Sequence, residues 1–180
     1  MNPTQHLQQQ LQLHQPSSIL FASHTAPDGS STSNTNASTE IYDALLAYSA
    51  ANDSEIHSID VNTVDFEHLE RCDFAVVVDF LEHLPKSTGV QHLGQLRNFL
   101  SQRIWVLIKD SPVWSFNDFI GLGFSHVAPA TTSNGASTND QEGWRKTQCY
   151  GYDLNTYNRI RSWNNSRHWA NPENFRKYRW

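Results

Sequence analysis

Residues 72–85 read CDFAVVVDFLEHLP. The stretch Phe74–Val78 is apolar without a break and rich in β-branched residues. Its length suits a strand better than a helix, and the lack of polar alternation predicts a strand covered on both faces, as in an α/β sheet. A second run of this kind, RIWVLIKD, occupies residues 103–110. Between the two, Val90, Leu93, Leu96 and Leu100 recur at helical spacing after Pro85, with Ser87 placed to cap the helix. Strand, helix and strand in this order predict two parallel strands joined by a right-handed crossover.

The pattern extends in both directions. SSILFAS, residues 17–23, is a short apolar run bounded by polar residues and reads as a first strand. The polar segment HTAPDGSSTSNTNAST that follows is a loop, after which Ser38 or Thr39 caps a helix with Glu40 in its first turn and Ile41, Ala44, Leu45 and Tyr48 on one face. EIHSIDV, residues 55–61, predicts a strand with Asp60 at its end. Ser115 and Asp118 have capping-box spacing before a short helix presenting Phe116, Phe119 and Ile120. GFSHVAP (123–129) and KTQCYGYDL (146–154) are the last two strands, separated by a polar loop at 129–143. With no helix between them they are expected to be antiparallel. Residues 1–16 are Gln-rich, with only Leu7, Leu11 and His14 to mark a stripe. They are expected as a flexible N-terminal segment, a short docking helix being the alternative. The fold class is therefore α/β: a three-layer sandwich with a mostly parallel sheet and an antiparallel last strand. In such sheets ligands bind outside the carboxyl ends of the strands.

A chain of 180 residues is one domain's worth and buries roughly 68–70% of its unfolded surface. No segment reaches the roughly 20 apolar residues of a membrane span, and the first residues have neither the positive start nor the apolar core of an export signal. The expected location is cytoplasmic, with no membrane partner. Cys72 and Cys149 are the only cysteines, which supports neither a disulfide framework nor a Cys-based zinc site. His24, Asp28, His57 and His83 do not make the paired-His helical spacing of hydrolytic zinc sites, so no metal is expected. The chain contains no G-x-S-x-G elbow, Walker loop or G-x-G-x-x-G turn.

The order of elements, the segment LEHLP at 81–85 and LGF at 122–124 resemble the class I methyltransferases dependent on S-adenosylmethionine, over about residues 17–155. The resemblance implies a Rossmann-like sandwich that binds S-adenosylmethionine and transfers its methyl group to a small molecule or a protein. It also implies roles: Asp60 for the cofactor ribose, Asp79 and Phe80 beside its methionine portion, and Glu82 and His83 as the catalytic pair on the substrate side. Two departures stand against it. The first strand runs into ASHTAPDG, with Gly29 alone where the family has a Gly-rich turn, and the interval from Asp60 to Cys72 is one βα unit short. If residues 55–61 are the family's third strand rather than its second, Asp60 loses the ribose role. The alternative function is that of a non-catalytic relative acting through protein or nucleic-acid contacts. The whole chain, above all residues 150–180, is also similar to an uncharacterised family of small bacterial proteins. The domain reading is a flexible segment 1–16, a truncated methyltransferase-like domain 17–158 and an extension 159–180.

That extension differs in charge from everything before it. Residues 1–158 carry 17 Asp and Glu against 7 Lys and Arg, whereas residues 159–180 carry 6 basic residues against Glu173 alone. Basic groups alternate there with Trp163, Trp169, Phe175, Tyr178 and Trp180, a composition able to stack on bases or to cover an acidic body. Docking on the body is the preferred expectation, a protein partner the next and nucleic-acid binding the least favoured. If the rings dock, deleting residues 159–180 should lower the melting temperature, since each buried aromatic lost costs about 3–5 kcal/mol. A projecting nucleic-acid arm would instead leave the melting temperature unchanged and abolish salt-sensitive binding to single strands.

Overall fold

The computed structural model describes residues 2–24, 36–60, 68–127 and 147–157. Six strands form one sheet: β1 (Ser18–Ser23), β2 (Glu55–Asp60), β3 (Cys72–Val78), β4 (Ser101–Lys109), β5 (Ser125–Val127) and β6 (Thr147–Asp153). Their order is β2-β1-β3-β4-β6-β5. The first four are mutually parallel, with Phe21 opposite Val76 and Val76 opposite Trp105. β6 runs antiparallel to β4 and to β5, so the last two strands are antiparallel neighbours as expected.

Because successive residues of β3 point to opposite faces, its unbroken apolar run feeds two cores at once. Phe74, Val76 and Val78 face one way, joined by Ile19, Phe21, Trp105 and Leu107. Ala75 and Val77 face the other, with Leu20, Ala22, Ile104 and Val106. The second core is covered by α3 (Lys86–Gln95), which passes into a π-turn at Leu96–Leu100, and by α4 (Phe116–Gly121). Leu93, Leu96 and Leu100 from the predicted stripe are buried there, and Val90 is half-buried at its margin. The capping box of Ser115 and Asp118 forms. Of the three apolar residues expected on α4, only Phe119 is buried, whereas Phe116 and Ile120 are exposed, because one turn and a half offers a single inward position.

The first core is covered by α2 (Asn36–Asn52) and by α1 (Pro3–His14). Residues 1–16, expected as a flexible segment, instead supply this docked helix, with Leu7 and Leu11 fully buried. The ends explain its order. Asn2 and Gln5 make a reciprocal capping box, Pro3 occupies the first turn, and Gln15 adopts φ 46° to close the C-terminus. Thr4 Oγ1 then donates to Glu40 Oε1 of α2 at 2.6 Å. Two caps also differ from expectation: α2 begins at Asn36, before Ser38 and Thr39, and Pro85 rather than Ser87 occupies the cap of α3. At the base of the sheet, Asp73 accepts from Ser17 N and Oγ at 2.9 and 2.7 Å and ties the start of β1 to β3. The extension 159–180 and Gly29 lie outside the described residues.

Leu11→Ala should therefore cost about 2–5 kcal/mol of stability, the usual penalty of a large-to-small change in a packed core. Leu13→Ala, on the same helix but at a side chain 69% exposed, should stay within about 0.5 kcal/mol. Urea unfolding of both variants checks the pair, and equal effects would contradict the docking of α1.

Candidate functional site

In an open parallel sheet, the point where strand order reverses leaves a crevice outside the carboxyl ends. Here β1 leads through α2 to β2 on one side, and β3 leads through α3 to β4 on the other. The crevice therefore lies between the ends of β1 and β3. Five polar side chains converge on it: His24 after β1, Asp79, Glu82 and His83 after β3, and Lys109 at the end of β4.

Asp79 is the centre of this group. It stands at φ 51°, a left-handed conformation that Asp tolerates better than most residues, and its carboxylate is almost entirely buried. A buried carboxylate needs partners. Lys109 Nζ donates to Asp79 Oδ1 at 2.8 Å, and His83 Nε2 lies 3.6 Å from the same oxygen. The backbone of Asp79 accepts from His24 N at 3.1 Å, so the β1–β3 pairing runs one residue beyond β1. The His24 and His83 rings then stack across the crevice, 3.7 Å between centroids and 13° from parallel.

Glu82 turns another way. Its Oε1 accepts from the backbone N–H of Lys109 at 2.8 Å, while Oε2 is buried without a hydrogen-bond partner. Burial pushes the Glu82 carboxyl above its usual range, and the nearby Asp79 charge adds to the rise against the Lys109 N–H bond that opposes it. Glu82 and His83 do not pair with each other: the carboxylate beside His83 is Asp79, four residues earlier, and the 3-10 turn Leu81–His83 gives the two neighbours different partners. Phe80 is fully buried and offers only its backbone to the crevice. The turn itself is held from above. Trp114 Nε1 donates to Leu81 O at 3.2 Å, and the indole lies so close over Gly89 that a Cβ there would meet it at 2.6 Å. Lys86 binds Asp118 at 2.7 Å and, with Ser115, holds that carboxyl down to about 2, joining the start of α3 to α4.

Asp60 closes β2 opposite Ser23, the last residue of β1. β2 lies directly beside β1, the place of a second strand, and no described strand lies beyond it. Asp60 thus stands at the carboxyl end of its strand, on the same sheet edge as the cluster. Among the described residues no group of three or more His, Cys, Asp or Glu is arranged to hold a metal ion. His24 and Lys109 were not singled out as partners from the sequence. The one available signal is positional: each stands at or just after the carboxyl end of an apolar strand.

No curated protein matches the sequence. Among solved structures, the methyltransferase domain of bacterial CtHen1 is 12% identical, with a TM-score of 0.48 over 85% of this chain and 98% of that one. Magnesium protoporphyrin IX methyltransferase from Synechocystis PCC 6803, solved with bound S-adenosylmethionine, is 12% identical, with a TM-score of 0.45 over 82% of this chain and 76% of that one. An rRNA methylase from Escherichia coli is 11% identical, with a TM-score of 0.41 over 82% of this chain and 61% of that one. These likenesses concern the course of the chain. Along its whole length, residues 1–180, the sequence matches a family of unknown function (DUF6231), and to that family the chain belongs.

Proposed function

We propose that the protein is an S-adenosylmethionine-dependent methyltransferase whose acceptor is a small molecule or a protein, with its site in the crevice between β1 and β3. The observation that carries the reading is the Asp79–His83 pair, seated at the point of strand reversal and packed against His24. The donor set suits the cofactor. Asp60 offers a carboxylate able to accept from two ribose hydroxyls, the backbone at Asp79 and Phe80 offers a strand end for the methionine chain, and an acidic edge suits a sulfonium cation.

The bound cofactor would supply an electrophilic methyl group, leaving the protein to align the acceptor and remove its proton. His83 is placed for the second task. Its Nε2 lies 3.6 Å from Asp79 Oδ1, so the ring that would take the proton has a carboxylate beside it. Lys109 Nζ, donating to the same Asp79 oxygen, holds that carboxylate in place. Glu82 Oε2, buried and unpaired, is an acceptor, or when protonated a donor, for a polar group of the substrate.

A second reading, a non-catalytic relative working through interactions, is supported by the closure of the crevice through the His24–Asp79 backbone bond and the stacked rings. Calorimetric titration with S-adenosylmethionine and its demethylated product separates the two. The methyltransferase reading expects saturable binding that Asp60→Ala weakens by about 1–3 kcal/mol, the worth of a charge-assisted hydrogen bond. No binding at millimolar ligand favours the interaction reading.

The state of Glu82 has its own test. A carboxyl whose pKa is raised on folding stabilises the fold at pH below its ordinary value of 4.5, and that contribution is lost as pH rises through the raised value. Glu82→Gln, which keeps the acceptor for Lys109 N–H, should gain stability relative to the native protein between pH 4.5 and neutrality. Urea unfolding across this range measures the difference, and a constant offset would show that the carboxyl is not held neutral.

A further inference from the structure

On the opposite face of the sheet, Trp105 occupies the middle of β4 and is almost completely buried beneath α1. Its indole Nε1–H can only donate. It donates to His6 Nδ1 of α1 at 3.1 Å. His6 must therefore carry its proton on Nε2 when neutral; Gln10 Nε2 lies 3.4 Å from that atom, and a half-turn of the amide would bring its oxygen there to accept. The arrangement works for the neutral ring and for no other state. A proton added at Nδ1 sets two donors face to face and strips a buried indole of its acceptor.

We propose that His6 is a proton-operated latch that holds α1 on the sheet when neutral and releases the helix when protonated, uncovering the apolar face formed by β1, β3 and β4. The inference is independent of the proposed methyl transfer, because it concerns the other face of the sheet. Burial alone depresses the pKa of His6, with no charged group contributing. The ionisable groups on the elements around it support this isolation. On α2, Glu40 is engaged by Thr4; on β4 and β6, Arg103 and Asp153 pair with each other and act on His14, two turns further along α1; Cys149 of β6 is a buried thiol pushed far up. The caps of α1 and the Thr4–Glu40 bond involve no group that titrates near neutrality, and the other histidine of the helix, His14, stands in its last turn against the Arg103–Asp153 pair and makes no hydrogen bond with Trp105. The sign follows from the depressed value. Docking is fully supported above the ordinary imidazole pKa of 6.5 and weakens as pH falls below it towards the lowered value, where each pH unit raises the undocked population by up to tenfold.

Hydrogen exchange of the full chain between pH 8 and pH 5, corrected for intrinsic rates, reads this directly. Amides of α1 should lose protection by up to about tenfold per pH unit below the imidazole range, while those of β3 keep theirs. His6→Gln, whose side-chain oxygen can still accept from Trp105, should flatten the dependence. If that variant does not dock α1, Trp105→Phe removes the donor and should likewise reduce the slope. Protection of α1 that is independent of pH in the native chain, a slope unchanged in both variants, or a parallel loss in β3 would overturn the proposal.

Discussion

The parallel pairing of β3 with β1 on one side and β4 on the other is the constraint from which the rest of the molecule follows. A strand in that position has no face left for water, so the run from Phe74 to Val78 must be apolar at every residue, and helices must cover both sides. The chain meets this demand with α1 and α2 on one face and α3 and α4 on the other. It also fixes where polar groups can gather. Once β3 ends at Val78, Asp79 is the first residue able to carry a charge, and it does so at the reversal point of the sheet, within reach of the exits of β1 and β4.

Stability and function make different demands at that edge. Asp79 is buried and left-handed, Glu82 retains an unpaired buried oxygen, and two imidazoles lie face to face. None of these is what packing alone would select. Local departures of this kind concentrate where a protein binds or transforms something, with the surrounding structure bearing the strain. Here the surrounding structure is identifiable: Lys109 holds Asp79 through its side chain and Glu82 through its backbone, and Trp114 clamps Leu81 against Gly89. The exit of β4 thus orders the turn after β3.

The six strands were legible because their signal is local: a run of apolar residues ending in polar ones reports burial wherever the strand sits in the sheet. The antiparallel end of the sheet was legible from a missing helix. The N-terminal helix was legible only as an alternative, since five of its twelve residues are Gln and Leu7 and Leu11 are its only apolar side chains other than Pro3 to reach the core, yet Asn2, Pro3 and Gln5 spell out its cap. At the site, Asp79, Glu82 and His83 stood out by position, but their pairing did not. Which carboxylate serves His83 depends on the 3-10 turn, and the partners His24 and Lys109 come from strands 59 residues before and 26 residues after it. Contacts of that kind are set by strand order, which no local pattern encodes.

The central claim, that the crevice between β1 and β3 is the binding site of this fold, is tested most directly by mapping amide and imidazole resonance shifts during titration with S-adenosylhomocysteine. Perturbations should be confined to the exits of β1, β2 and β3, with His24, Asp60 and the segment from Asp79 to His83 moving together and the His24–His83 stack altered. Shifts centred elsewhere, for instance along α1 and α2, with the two histidines unmoved at saturation, would contradict it.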